Sequence, residues 1–302
     1  MAYSPIYEAP YTKNLLDTFV GPALQPRGKQ WFVDGAVTVT RHGRDWKHAK
    51  KTISLAITAA AAGDTIYVAP GSYNETLAIP AAKKKLTIIG TGGRGAAFVE
   101  PTAVGAEGAQ VQADDVTFVN LGIAGEATSD YALNVNGNKP GADKNGRRFR
   151  AYGCKFEGPT GANKPAVLLN GDANYQAADA LFEDCEFAWA NVGLQFDDSS
   201  YGYPTQIFVQ NCRFHNITTA CIGEATGGGV VNLEVTGCQF DNDEAGTAPT
   251  DYVKVDRAGD TGLFSGNRFA IATNAAADLK IAAGIKWAAN ATEAGWSTAR
   301  PA

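Results

Sequence analysis

The sequence predicts an all-β fold, a single right-handed parallel β-helix of about seven or eight coils with an N-terminal capping helix. The first supporting observation is a four-residue phrase that recurs at steps of 31, 27, 26 and 29 residues. Self-similarity at such a period indicates stacked repeats. The copies are Gly153-Cys154-Lys155-Phe156, Asp184-Cys185-Glu186-Phe187, Asn211-Cys212-Arg213-Phe214, Gly237-Cys238-Gln239-Phe240 and Gly266-Asn267-Arg268-Phe269, with a fainter copy at Asn120-Leu121-Gly122-Ile123.

The second observation is that every copy has the alternation of a β-strand. The cysteine and the phenylalanine two residues later point the same way. Unbroken alternation also places Phe208 and Gln210 on the face shared by Cys212 and Phe214. Turn residues bound the copies and no helical period fits between them, so coils should stack about 4.8 Å apart and form core ladders. One ladder is Leu121, Cys154, Cys185, Cys212, Cys238 and Asn267, and the other is Ile123, Phe156, Phe187, Phe214, Phe240 and Phe269.

The third observation is one amphipathic segment, residues 45–62, whose apolar side chains recur three and four residues apart. Asp45 is predicted to cap the N-terminus of this helix and Gly63 its C-terminus. A helix here would cover the open edge of the first coil. The chain then divides into an extended arm at 1–44, the β-helix at 45–273, and a C-terminal cap or assembly segment at 274–302.

The residues that follow this segment resemble a known family. The stretch Ala62-Gly63-Asp64-Thr65-Ile66-Tyr67-Val68-Ala69-Pro70-Gly71-Ser72-Tyr73-Asn74-Glu75, with Leu86-Thr87-Ile88-Ile89-Gly90 after it, resembles the opening of right-handed β-helix proteins of the pectate-lyase-like superfamily. The resemblance implies the fold but little chemistry, because this fold hosts lyases, hydrolases, adhesins and phage spikes. In lacking an enzyme motif, the chain is most similar to the non-enzymatic members from phage virions.

Composition excludes several partners. The net charge of −5 gives a nucleic-acid partner no electrostatic support, and no apolar run reaches the length of a membrane span. The first residues lack the pattern of a secretory signal, so we expect synthesis in a host cytoplasm. Four of the five cysteines fall on one ladder, which favours reduced core thiols over disulfides.

Asp197 and Asp198 are the best candidates for catalytic carboxylates, because glycoside hydrolysis needs two carboxylates that flank the scissile bond. Enzymes that resemble polygalacturonases also carry Gly-His-Gly and Arg-x-Lys on later coils. Here Gly-His-Gly does not occur, and the only Arg-x-Lys is Arg27-Gly28-Lys29, ahead of the solenoid. A surface turn is the simpler interpretation of the aspartates. His215 follows an inward Phe214 and is expected to face solvent. We expect no enzymatic activity, no cofactor and no metal.

Two functions from different classes remain open. The first is a structural protein on the surface of a tailed-phage virion, as a tail spike, fibre or capsid decoration. It would be a homotrimer that binds other virion proteins through its N-terminal arm and contacts host glycans, with no nucleic-acid or membrane partner. The second is a polysaccharide lyase or hydrolase that uses Asp197 and Asp198. A bacterial surface adhesin is a third option, which the lack of a signal sequence disfavours.

Overall fold

The computed structural model describes residues 28–135, 146–159, 164–170, 177–197, 203–241, 249–270 and 279–292, and the backbone of 295–297. Helices in these ranges are α1 (Ile53–Ala59) and two 3-10 helices, Trp46–His48 and Ala81–Lys83. The strands are β1 (Gln30–Val33), β2 (Thr65–Val68), β3 (Gly71–Tyr73), β4 (Leu77–Ile79), β5 (Thr87–Gly90), β6 (Ala97–Val99), β7 (Ala109–Val111), β8 (Thr117–Val119), β9 (Leu121–Ala124), β10 (Leu133–Val135), β11 (Arg150–Tyr152), β12 (Lys155–Glu157), β13 (Pro165–Leu169), β14 (Leu181–Glu183), β15 (Glu186–Phe196), β16 (Thr205–Gln210), β17 (Arg213–Glu224), β18 (Val231–Thr236), β19 (Gln239–Phe240), β20 (Asp251–Val255), β21 (Gly262–Ser265), β22 (Arg268–Phe269), β23 (Leu279–Ile281), β24 (Ile285–Ala288), β25 (Asn290–Thr292) and β26 (Gly295–Ser297).

The strands form a right-handed parallel β-helix with three faces, as the sequence predicts. The first face is a sheet of ten parallel strands in the order β1-β2-β5-β8-β11-β14-β16-β18-β21-β24. The second face runs β3-β6-β9-β12-β15-β17-β19-β22-β25 and the third runs β4-β7-β10-β13-β15-β17-β20-β23. The long strands β15 and β17 pass through the corner and join these two faces into one sheet. Eight coils of the described residues contribute to all three faces.

A single left-handed residue turns the chain from the first face to the second. In six successive coils this residue has φ between 53° and 67°, and it is Asn120, Gly153, Asp184, Asn211, Gly237 or Gly266. Glycine, asparagine and aspartate adopt this conformation at the lowest cost. The first position of the recurring phrase is therefore the corner of the coil.

Because of this corner, the predicted alternation is wrong for the residues that precede it in the coil. Ile207 and Val209 of β16 are buried, whereas Phe208 and Gln210 are only partly buried. After Asn211, at φ 53°, Cys212 and Phe214 are buried in turn. A left-handed residue breaks the period-2 alternation, so the inward phase changes at each corner.

The predicted phenylalanine ladder is confirmed and forms a stack of rings inside the solenoid. Phe187 and Phe214 have ring centroids 4.5 Å apart with planes at 5°, and Phe214 and Phe240 are 4.9 Å apart at 7°. Phe240 and Phe269 continue the stack at 4.5 Å. These ring-to-ring distances match the distance between neighbouring parallel strands, so the spacing of the strands sets the spacing of the stacked rings.

The cysteine ladder is also confirmed, and all five cysteines are buried and free. Asn267 occupies the next coil, where its Oδ1 accepts from the Cys238 amide at 2.9 Å and its Nδ2 donates to the Val235 carbonyl at 2.9 Å. Asn290 extends the ladder by one coil that the sequence did not reveal, and its Oδ1 accepts from the Asn267 amide at 3.0 Å. Both amides are fully buried and hydrogen bonded, which removes the cost of placing them in the core.

The N-terminal helix is shorter than the predicted 45–62. Asp45 caps the 3-10 helix, and Thr52 caps α1 by accepting from the Leu55 amide at 3.2 Å. The C-cap residue of α1 is Ala60 rather than the predicted Gly63. The chain between the helices hydrogen bonds to β1, since the Lys50 amide donates to the Phe32 carbonyl at 2.8 Å, and these bonds interrupt one continuous helix.

The solenoid extends beyond the predicted limits of 45 and 273. β1 pairs with β2 in parallel, so part of the predicted arm belongs to the first face. β24 pairs with β21, so part of the predicted C-terminal segment forms another rung. Residues 1–27 of the arm and residues 271–278 lie outside the described residues. Within those that are described, no helix has the length and apolar character needed to span a membrane.

Candidate functional site

A cavity of about 500 Å³ lies between α1 and the start of the third face. We call it the amide groove because two glutamines, Gln110 and Gln112, form part of its wall. Its lining combines hydroxyl, amide and apolar side chains with one lysine and contains no carboxylate. The lining residues are Ser54, Ile57, Thr58, Thr76, Ala78, Ile79, Pro80, Lys83, Gln110 and Gln112.

Two charged side chains hold α1 in place above this groove. Glu75, in the turn between β3 and β4, accepts from the amides of Ile53 at 2.8 Å and Ser54 at 2.7 Å. Lys83 donates to the carbonyl oxygens of Thr58, at 3.1 Å, and Ala60. A carboxylate at the N-terminus and an ammonium at the C-terminus satisfy the unpaired backbone groups of a short helix. One wall of the groove is therefore preorganised.

The amides on the other wall form a chain of hydrogen bonds that crosses from one coil to the next. Gln110 faces outward on β7, between the buried Ala109 and Val111. Gln112 Nε2 donates to Gln110 Oε1 at 3.2 Å, and Gln110 Nε2 donates to the Tyr131 hydroxyl at 3.4 Å. Amides and hydroxyls offer both donors and acceptors without charge, which suits recognition of hydroxyl groups. A proton-transfer pair is absent from this lining.

Asp197, the first sequence candidate, lies partly buried just after the end of β15, and Asp198 lies outside the described residues. The Asp197 backbone amide donates to the Leu169 carbonyl at 3.1 Å. Asp197 follows the buried Phe196, so strand alternation directs its side chain outward. Asp197 lies just after the third-face part of β15, well along the solenoid from the amide groove.

Glu224 carries a carboxyl group on the coil that follows that of Asp197. The sequence did not single it out. It pairs in register with Phe196, so it occupies an inward ladder position otherwise filled by apolar side chains. Burial, and then the hydrogen bond to Asp260, raise the pKa of Glu224 to about 9. Among the described residues, Glu224 Oε1 and Asp260 Oδ2 are buried acceptors with no hydrogen-bond donor, so a proton carried by Glu224 is the simplest way to satisfy both.

Glu224 and Asp197 do not form a hydrolytic pair. A glycosidase needs a protonated acid and an ionised carboxylate that face the same bond. Here the acid with the raised pKa points into the solenoid, while Asp197 points out of it. The geometry of these two described carboxyl groups therefore provides no catalytic pair.

His215 is buried, with 8% of its surface exposed, and the prediction that it faces solvent is wrong. Its Nε2 lies 3.0 Å from Glu186 Oε1, and Asn216 Nδ2 lies 3.1 Å from its Nδ1. Burial alone would raise the pKa of Glu186, but the hydrogen bond from His215 and the charge of Lys155 lower it. Both ring nitrogens have partners, so neither is available to activate a nucleophile.

The fold and the groove define this chain as a parallel β-helix with a cavity at its N-terminal end that is lined by apolar, hydroxyl and amide side chains and one lysine. Among solved structures, a pectin methylesterase from Aspergillus niger is 16% identical, covers 89% of this chain and 86% of its own, and has a TM-score of 0.57. An alginate lyase from Paenibacillus sp. is 15% identical, covers 80% and 83%, and has a TM-score of 0.59. A pectin methylesterase from carrot is 12% identical, covers 88% and 83%, and has a TM-score of 0.55.

These likenesses show that the chain shares the right-handed parallel β-helix fold of these proteins. At such low identity they show the fold alone. No protein-family model and no curated protein matches the chain.

Proposed function

We propose that this protein is a non-catalytic structural β-helix of a tailed-phage virion that contacts glycans without cleaving them. The observation that carries the proposal is the amide groove, whose lining offers hydroxyls and amides but no carboxylate. Such a lining supports hydrogen bonding to sugar hydroxyls and does not support acid–base chemistry. The solved β-helix proteins named above act on pectin or alginate, which makes a glycan a reasonable ligand class.

A glycan-binding experiment tests the ligand. Purified protein would be titrated with uncharged and uronate-containing oligosaccharides, and binding would be measured by saturation-transfer NMR and calorimetry. We expect Gln110→Ala and Gln112→Ala each to weaken binding about fivefold, the effect of losing one hydrogen bond of about 1 kcal/mol. Gln239→Ala is the matched control, because Gln239 is exposed on the second face, away from the groove. Binding that is equal in all three variants would exclude the groove.

The alternative, a polysaccharide lyase or hydrolase, is tested by depolymerisation of the same glycans. We expect wild-type protein to produce no new reducing ends and no unsaturated uronates. If wild-type protein cleaves a glycan and the Asp197→Asn, Asp198→Asn double variant does not, the structural proposal fails and the enzymatic alternative replaces it. The double variant should fold normally, because Asp197 points outward and its backbone hydrogen bond is retained.

The virion part of the proposal concerns residues 1–27. An apolar, proline-punctuated segment loses conformational entropy when it is ordered, and a partner surface can offset that cost. We expect deletion of 1–27 to leave the circular dichroism spectrum unchanged and to abolish incorporation into particles. The deletion must stop before β1, because loss of that strand would expose the edge of the first face.

Native mass spectrometry of full-length protein is expected to show a homotrimer. Normal incorporation of the truncated protein would contradict a docking role for the arm. Unfolding of the truncated protein would instead mean that residues 1–27 pack against the solenoid of their own chain.

A further inference from the structure

Residues 41–50, which we call the strap, lie along β1 at the N-terminal end of the solenoid. Backbone hydrogen bonds hold the strap against the strand: the Phe32 amide donates to the Gly43 carbonyl at 2.9 Å, and the Lys50 amide donates to the Phe32 carbonyl at 2.8 Å. Within the strap, the Gly43 amide donates to the His48 carbonyl at 2.7 Å. Trp46 of the strap packs edge-on against Phe32, with ring centroids 4.9 Å apart. The strap is thus a tied segment on which side chains keep their relative positions.

Three potential metal ligands converge on the strap: His42, Asp45 and His48. One nitrogen of each imidazole and one oxygen of the Asp45 carboxylate all lie within 4.8 Å of one another. His48 Nδ1 is 2.8 Å and 3.1 Å from the two Asp45 oxygens, and the two imidazole rings are 4.6 Å apart. Ligands of a tetrahedral zinc ion are about 3.4 Å apart, given bonds of about 2.0–2.1 Å. Small rotations of these three solvent-accessible side chains would bring the ligand atoms from within 4.8 Å of one another to the separation that zinc requires.

We propose that His42, Asp45 and His48 bind one Zn²⁺ ion, with solvent in the fourth position. Two imidazoles and a carboxylate are a ligand set that zinc accepts. The ion would take the place of the proton between His48 Nδ1 and Asp45, and the imidazole proton would move to Nε2. His42 would exchange its hydrogen bond from the Arg44 amide, 3.1 Å long and exposed, for the metal. The site replaces the expectation of no metal that was drawn from the sequence. It goes beyond the proposed function and does not depend on it.

The surroundings of the cluster select against alkaline-earth ions. Arg41, Arg44 and Lys47 are exposed on the same strap, and the Arg44 guanidinium lies over Trp31 at 4.7 Å from the ring centroid. Calcium and magnesium bind through several oxygen ligands and net negative charge, which this strap does not provide. Zinc, nickel and copper bind imidazole nitrogen strongly enough to tolerate nearby cations. A bound ion would tie His42 to His48 and so stabilise the strap on β1.

The test is a Zn²⁺ titration of full-length, tag-free protein, followed by calorimetry and by NMR of the imidazole groups. The chain has only three histidines, and His215 is buried on Glu186, so it serves as an internal reference. We expect saturable binding of one ion, with shifted His42 and His48 signals and an unchanged His215 signal. At a hundredfold excess over Kd, we expect a rise in Tm of about 5 °C that a chelator reverses.

His42→Gln and His48→Gln should each weaken zinc binding at least tenfold. Asp34→Asn is the control, because Asp34 is a nearby carboxylate outside the cluster, and it should bind zinc like the wild type. Calcium should give no saturable signal at the same concentrations. The proposal is overturned if zinc does not saturate, if the His→Gln variants bind as tightly as the wild type, or if the His215 signal is the one that moves.

Discussion

Phe214→Ala is expected to lower the free energy of unfolding by about 3–5 kcal/mol, the usual cost of deleting a core phenylalanine. Phe214 is fully buried and stacks on both Phe187 and Phe240, so its removal leaves a cavity between two rings of the ladder. A coil cannot collapse easily to fill that cavity, because backbone hydrogen bonds to both neighbouring coils set its spacing. Urea denaturation followed by circular dichroism measures the loss.

Trp189→Ala is the matched control for this experiment. Trp189 is an aromatic residue on the same pair of faces, but its side chain is 45% exposed and its φ is 52°. Its removal should change the free energy of unfolding by less than about 1 kcal/mol, as surface substitutions do. Equal stability of Phe214→Ala and wild type would mean that the ladder assignment is wrong.

Glu224→Gln is expected to make the protein more stable at high pH. The pKa of Glu224 is raised to about 9, first by burial and then by its hydrogen bond to Asp260. Between the unfolded pKa near 4.5 and this folded value, the native state binds a proton that the unfolded state has lost. Stability of the wild type therefore falls as pH rises through this window. A glutamine is neutral at every pH and does not contribute to this slope.

The two proteins should have similar stability near pH 5 and diverge by about 1–3 kcal/mol by pH 9, after allowance for solvent screening of a partly exposed group. Thermal melts at pH 5, 7 and 9 measure the difference. Glu234→Gln is a suitable control, because Glu234 faces outward on β18 and is only partly buried. A pH profile that is the same for Glu224→Gln and wild type would show that Glu224 is not held protonated in the core.

The recurring phrase determined most of the fold by itself. The left-handed corner and the two buried side chains, one and three residues after it, sit at constant positions in each copy. They depend on backbone conformation and alternation within four residues. Such features are local, so a single sequence displays them. The same reasoning failed across the corner, at Phe208 and Gln210, because one left-handed residue at Asn211 resets the alternation.

Only the tertiary structure decided where chemistry-bearing side chains meet. Glu224 and Asp260 are 36 residues apart, and the register of β15 on β17 is what turns Glu224 inward beside Phe196. His215 is buried because Glu186, on the preceding coil, covers its Nε2. The amide groove exists because Glu75 and Lys83 hold α1 at a set distance from β7. Coil lengths vary, since Thr65 pairs with Thr87, 22 residues further on, whereas Thr117 pairs with Arg150, 33 residues further on. Contacts between coils therefore depend on a pairing register that no local pattern records.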